Sequence, residues 1–333
     1  MLRCVLGLLV MAAVFACAGW WWVGQPLVLP AGTQSVALQL PPGSSTRSIT
    51  QAVAATGIQT PMNLPASALY WYFRTSGKAA ALKAGSYEVA QGDTPRSLLA
   101  KLVSGLQVQD SVTIVDGWNI RQLRDALAEA DNLKPDTKLL SNEALMAKLG
   151  KPGVHPEGRF YPDTYSYAKG SSDLVVLQAA TKAMDKQLAA AWEARQPNLP
   201  VKTPEQALIL ASIIEKETGK PSERAEIGGV FNNRLRIGML LQTDPSVIYG
   251  MGEAYKGHIG KKGLQTDTPY NTYTRAGLPP TPISMPGKAA LLAAVQPAAT
   301  KALYFVARGD GTSQFSATLN EHNNAVNKYI RGQ

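Results

Sequence analysis

TPEQALILASIIEKETGKPSERAEIGGVFNNRLRIGMLLQTDPSVIY, running from Thr203 to Tyr249, places a glutamate in the last turn of a helix on a face that is otherwise apolar. The helix start is signalled by Thr203 as N-cap, Pro204 at the first helical position and Gln206 three residues after the cap, the pattern of a capping box. Gly219 suits the left-handed position just past a last turn and Pro221 cannot continue one, so the spacing predicts an end near Thr218. On the helical wheel Gln206, Leu210, Ile213, Ile214 and Glu217 share one face, whereas Glu215 points the other way with Leu208, Ala211 and Ser212.

Two effects act on the carboxyl group of Glu217. Partial burial disfavours its charged form, and the negative end of the helix dipole disfavours it further, so its pKa is expected above the usual value of about 4.3. A carboxylic acid that keeps its proton near neutral pH can protonate a leaving group. The competing reading is an ordinary surface glutamate in a frayed turn, paired with Lys216 or Lys220; the helix alone does not separate the two.

Further motifs surround this one: EGRFYPDTY from Glu157, ASIIEKET from Ala211, VFNNRL from Val230, LQTDPSVIYG from Leu241, YNTY from Tyr270, GLPPTPIS from Gly277 and YFV from Tyr304. In this order they make the chain from Ala84 to Ile330 resemble the endolytic murein transglycosylase (YceG-like) family. The resemblance implies that the second glutamate of the EKE triplet, Glu217, is catalytic.

The 333 residues are enough for about two domains with cores of their own. A balance of 33 basic to 24 acidic residues suits an anionic membrane surface or an acidic polymer. Nucleic acid is not an expected partner, because no basic block interleaved with aromatics and no nucleic-acid motif occurs. Cys4 to Val23 is an uncharged run of twenty residues, about the length that crosses a bilayer as a helix. Arg3 precedes it and Trp20, Trp21 and Trp22 close it. The positive-inside rule then places the N-terminus in the cytoplasm and the tryptophans at the outer interface. The expectation is a single-pass bacterial inner-membrane protein with its catalytic domain in the periplasm. Cleavage after Ala16-Cys17-Ala18, or lipidation at Cys17, are the alternatives to a retained anchor.

Both cysteines fall in this run, so the exported part has neither a disulfide nor a thiol nucleophile. His155, His258 and His322 lack metal-ligand spacing and read as loop or helix-surface residues. No metal and no cofactor are expected. Serine-hydrolase elbows and P-loops are also missing from the sequence.

A repeat precedes the catalytic region. Gly43, Ser45, Arg47 and Ile49 align with Gly92, Thr94, Arg96 and Leu98, and again with Gly117, Asn119, Arg121 and Leu123. Each glycine follows an extended run and each residue two places on is a helix capper, so the unit is a strand turning into a short helix. The middle copy resembles a LysM motif, a glycan-recognising module, through Tyr87, Val89, Gly92, Asp93, Thr94 and Leu98. Glycan binding and a packed scaffold stand as equal readings of it.

Short helices are predicted around Ser141 to Leu149 and Lys288 to Val295, an amphipathic one over Ser171 to Ala194, a strand over Leu303 to Ala307, and a last helix capped by Thr318 with Glu321 at the box position. The fold class expected is α+β: a transmembrane anchor in 1–25, a strand-helix repeat region in 33–130 with the LysM-like unit at 84–105, and a mixed α/β catalytic domain in 155–333 with its glutamate at a helix C-terminus.

Glycoside hydrolysis needs two carboxylates, whereas lytic transglycosylation uses the C6 hydroxyl of the substrate's own N-acetylmuramic acid and can run on one. The resemblance implies the latter, with cleavage inside nascent peptidoglycan strands. Asp244 and Glu226 are candidates for a second carboxylate, though Asp244 also reads as a turn cap before Pro245. Sugars present apolar faces rimmed by hydroxyls, so aromatic and amide side chains should contact them. Asn233, Gln242, Thr243, Tyr249, Tyr270, Asn271 and Tyr273 fit in kind. Arg234 reads first as a structural ion-pair partner. Peptidoglycan synthases at the membrane are a partner class implied by the resemblance. A non-catalytic murein-binding scaffold and a water-using muramidase are the competing functions.

Overall fold

The computed structural model describes residues 2–105 and 109–332, except for the side chains of residues 2–5 and 8. It divides into two compact units, Met1–Asp110 with Tyr167–Ser171, and Ser111–Ser166 with Ser172–Gln333.

The first unit contains α1 (Leu2–Trp22), β1 (Ser35–Leu40), α2 (Thr46–Ala55), α3 (Ser67–Thr75), β2 (Gly85–Ala90) and α4 (Pro95–Ser104). β1 and β2 pair antiparallel, with Ser35 opposite Ala90 and Leu40 opposite Gly85. The sheet mate of β2 therefore lies upstream of it, across α2 and α3. Alternate residues Tyr87 and Val89 of β2 turn inward to Leu38, Ile49, Val53, Phe73, Leu98 and Leu102, as a strand with one covered face requires. α1 is fastened to this core: Trp22 and Val23 are buried in it, and the Trp22 indole donates to the Pro61 carbonyl at 3.0 Å. Among the described residues no helix is long and apolar enough to cross a membrane. The anchor expected in 1–25 falls partly on residues outside that set.

The repeat is visible in the backbone. Gly43, Gly92 and Gly117 have φ of 79°, 92° and 77°, a region open to glycine at little cost. Two residues on, Ser45, Thr94 and Asn119 cap α2, α4 and the next helix, α5, through their side chains. Ile49, Leu98 and Leu123 are buried.

The second unit runs through β3 (Gln109–Thr113), α5 (Ile120–Glu129), α6 (Asn142–Lys148), β4 (Thr164–Ala168), α7 (Asp173–Glu193), α8 (Pro204–Glu217), α9 (Arg224–Arg236), α10 (Asp244–Met251), α11 (Lys261–Gln265), α12 (Lys288–Val295), β5 (Tyr304–Ala307), β6 (Ser313–Ser316) and α13 (Leu319–Val326). β3 pairs with β4, and β5 forms an antiparallel hairpin with β6 in which Tyr304 faces Ser316. Helices and strands are mixed, but the core of this unit is helical, built from α7, α8, α9 and α12.

α8 lies at the centre. Thr203 accepts from the Gln206 amide at 3.1 Å, whereas the Gln206 side chain reaches the Lys202 amide, not that of Thr203, so the expected capping box closes by one residue more. Every residue from Ala207 to Glu215 is buried. The single apolar stripe expected from the wheel is thus corrected: α7, α9, α10 and α12 enclose the helix, and the face carrying Glu215 is covered as fully as the other. The helix end also differs from expectation. Gly219 is not left-handed; Thr218 turns extended, with φ −145° and ψ 134°, and ends the helix itself.

Close approach of α9 to its neighbours depends on two glycines. A Cβ on Gly228 would collide with the Ala293 carbonyl of α12, and one on Gly229 with Thr300 and the Ala298 carbonyl. This contact brings Arg234 and the start of β5 within reach of the end of α8.

Candidate active site

Glu217 is the last residue of α8, and its carboxylate accepts a hydrogen bond from the Thr243 hydroxyl. Burial holds its pKa above the ordinary carboxylate value; the Thr243 bond and the Arg234 charge oppose this, and the Asp244 charge adds to it. The balance favours a neutral acid with a hydroxyl fixing one oxygen.

A cleft of about 540 Å³ opens at this carboxyl group. Gln242 and Asp244 line it from the start of α10, Tyr273 from the loop after α11, Phe231 and Arg234 from α9, Tyr304 and Phe305 from β5, and Leu319, His322 and Asn323 from α13. Gln242 sits at φ 47°, a left-handed conformation uncommon outside glycine, and its amide donates to the Thr272 carbonyl at 3.1 Å. The Tyr273 hydroxyl donates to Asp244 Oδ1 at 2.5 Å. Burial and this bond push the Tyr273 pKa up, so the phenol stays a donor.

Asp244 opens α10 and makes no cap. Its expected turn-capping role is therefore corrected: the carboxylate faces the cleft and is held by Tyr273. Glu226 does not line the cleft. Arg234 is corrected too, because its partners are backbone carbonyls, Leu303 at 2.6 Å and Leu241 at 2.7 Å, and among the described residues it makes no ion pair. The guanidinium joins β5 to the loop before α10, two walls of one cleft.

Of the residues expected to meet substrate, Gln242 and Tyr273 line the cleft with Glu217, while Thr243 is buried behind them as the partner of the acid. The others do not line it. Asn233 donates to the carbonyls of Thr300 and Ala302. Asn271 is buried and donates to the Leu264 and Thr266 carbonyls. Tyr249 packs edge-on against Tyr270, with ring centroids 4.9 Å apart, and the Tyr270 hydroxyl bonds Thr281 at 2.9 Å. These amides and rings satisfy their own backbone or one another, a common fate of buried polar groups.

Glu157 emerges as a second buried acid. Both its oxygens accept from the Ile120 amide, at 3.1 and 3.2 Å, and it bonds the Tyr249 hydroxyl. Burial raises its pKa to about 7 against the pull of these donors. Glu215 is bound differently, to Arg224 at 2.7 Å and to the Gly287 amide at 2.9 Å, which ties α8 to the loop before α12.

Tyr304, His322 and Asn323 were missed by the sequence reading as cleft residues. His322 is not simply a surface residue: its ring stacks on Tyr304 at 5.1 Å, Arg234 lies over the Tyr304 ring at 5.3 Å, and its buried Nδ1 has no hydrogen-bond partner among the described residues. Burial and the Arg234 charge lower its pKa. Spacing held a signal for the helix part, since Leu319, His322 and Asn323 stand at i, i+3 and i+4, one helical face.

The sequence profile of the YceG-like family matches residues 38–328. The endolytic murein transglycosylase of Bacillus subtilis is 31% identical over 329 residues, covering 92% of this chain and 89% of its own length. That of Streptococcus pneumoniae is 25% identical over 371 residues, and the match takes in 99% of this chain and 65% of the relative. A YceG-like protein of Listeria monocytogenes has a similar solved structure, with a TM-score of 0.55 and 29% identity over 88% of this chain and 99% of that one.

Proposed function

The chain belongs to the YceG-like family, and from that premise we propose that it is a peptidoglycan lytic transglycosylase, cutting the bond between N-acetylmuramic acid and N-acetylglucosamine inside nascent glycan strands. The observation that carries this reading is the position of Glu217: a shielded carboxyl group with a raised pKa at the floor of a cleft, held by one hydroxyl. As the neutral acid, Glu217 gives its proton to the glycosidic oxygen while the bond to the anomeric carbon breaks. As the carboxylate so formed, it takes the proton of the C6 hydroxyl when that oxygen attacks the anomeric carbon, closing a 1,6-anhydro ring and restoring the acid. No water is consumed. Arg234 and the Thr243 hydroxyl stabilise the carboxylate between the two steps, and Tyr273 and Gln242 offer polar groups to the sugar rims.

Asp244 gives a specific reason to keep the water-using muramidase in view, since it lines the same cleft. Mass spectrometry of digested peptidoglycan separates the readings. Transglycosylation leaves ends lighter by one water, a muramidase leaves reducing ends, and a scaffold leaves no new ends; either of the last two results would overturn the proposal.

The same reading takes Cys4–Val23 as a single inner-membrane anchor, with Arg3 on the cytoplasmic side and the catalytic unit in the periplasm. Cleavage close to the membrane would end strand elongation, beside the synthases that make the strand.

A further inference from the structure

Residues 1–87 contain Arg3, Arg47, Arg74, Lys78 and Lys83 but neither aspartate nor glutamate; Glu88 is the first of the chain's 24 acidic residues. This stretch of the first unit therefore carries positive side chains and no negative ones. An apolar groove of about 680 Å³ lies there, with Trp20, Trp21, Met62, Leu64 and Trp71 on its walls. Trp20, Met62 and Trp71 are 71%, 72% and 60% exposed. Monomeric proteins seldom leave so many large apolar side chains together in water.

The groove is built rigidly. Arg96 stacks over the Trp20 ring at 4.0 Å and donates to the Trp20 carbonyl, while Trp22 is buried and bonds Pro61. Met62 and Asn63 both hold positive φ, 61° and 54°, a costly conformation for side-chain-bearing residues that persists where surroundings impose it.

Continuity decides the occupant. Leu6, Leu9, Val10, Met11, Val14 and Phe15 are exposed along α1, and Phe15 also lines the groove, so the apolar surface of the helix runs on into the globular unit. Tryptophan rings favour the boundary between headgroups and acyl chains, and the exposed Arg47, Arg74 and Lys78 suit anionic headgroups. We propose that this groove is a membrane-seating surface, in which Trp20, Trp21, Met62, Leu64 and Trp71 enter the interface of an anionic bilayer and hold the first unit against it. The proposal rests on α1 entering the membrane, and it adds that the unit is seated on the lipid instead of swinging from a tether.

The test uses the full chain with Cys4→Ser and Cys17→Ser, reconstituted in vesicles of phosphatidylglycerol and phosphatidylethanolamine. A polarity-sensitive fluorophore is placed at Met62→Cys, at Trp71→Cys, or at Gln91→Cys, which is exposed but does not line the groove. Insertion by several ångströms into the boundary should blue-shift the probes at 62 and 71. Lipids brominated near the headgroup should then quench them roughly threefold more than the probe at 91. If the protein floats with the vesicles while all three probes are quenched alike, the seating is wrong and the anchor stands. If the protein does not float, the anchor reading fails and takes the seating with it. Shielding at 62 and 71 that depends on protein concentration and not on brominated lipid would assign the groove to a second copy, and would equally overturn the proposal.

Discussion

Glu157→Gln should flatten the pH dependence of stability. The carboxyl group is fully buried, receives the Ile120 amide on both oxygens and bonds Tyr249. Burial lifts its pKa from the ordinary 4.5 to about 7, which at about 1.4 kcal/mol per pH unit corresponds to about 3 kcal/mol. Because the folded chain keeps a proton that the unfolded chain has released, this contribution is intact below the unfolded value. It is lost as pH rises through the folded one. Glutamine never ionises and keeps an oxygen for the Ile120 amide, so the variant lacks this slope. Urea unfolding of both proteins across the interval, with the variant as reference, cancels the other titrating groups, Glu217 and the histidines among them. The stability of wild type relative to variant should fall by about 3 kcal/mol between about pH 4 and pH 8. A relative stability constant over that interval would show that the α5 N-terminus and Tyr249 hold Glu157 ionised, and the argument from burial would be wrong.

Glu217→Gln should lower glycan cleavage by at least about 10² to 10⁴ while leaving stability at pH 7.5 unchanged or higher, because it removes a carboxyl group that burial disfavours as an anion; cleavage assays paired with thermal melts check both. Glu215→Gln should show the reverse pattern, a loss of about 3 kcal/mol for breaking a buried pair with Arg224, with activity retained below the lowered melting temperature. His322→Phe keeps a ring on Tyr304 but no polar edge for the cleft. It should raise KM about tenfold, the effect of one lost hydrogen bond, with kcat little changed; an unchanged KM would make the stacked ring purely structural. Deleting 1–19 should give a folded, active protein in solution. Deleting 1–23 should cost about 3 kcal/mol or more in the first unit, since Trp22 and Val23 belong to its core; circular dichroism melts distinguish the two.

Local rules carried much of the fold. Thr203, Thr94, Asn119 and Thr318 each cap the helix that their spacing announced, because a cap needs only a side-chain oxygen and the next turn's amides. The glycines at 43, 92 and 117 mark the repeated turns for the same reason. The place of Glu217 in the last turn of α8 was also readable, since Thr203 sets the start of the helix and the residues up to Pro221 limit its end.

What surrounds that residue was decided by packing across long stretches of chain. The wheel cannot register that a helix is enclosed on every side, so Glu215 looked peripheral until Arg224 and the Gly287 amide were seen to hold it. Thr243, 26 residues on, binds the acid; Asn233 and Asn271, equally plausible by type, spend their amides on distant carbonyls. His322 joins the cleft only because Gly228 and Gly229 let α9 approach closely enough for Arg234, Tyr304 and α13 to meet at the end of α8. Sequence determined the caps, the turns and the helix turn that carries Glu217, which depend on neighbours within one helical turn. Tertiary structure decided which polar groups remain free to meet a substrate, because that depends on which carbonyls and carboxylates the folded chain has already brought to them.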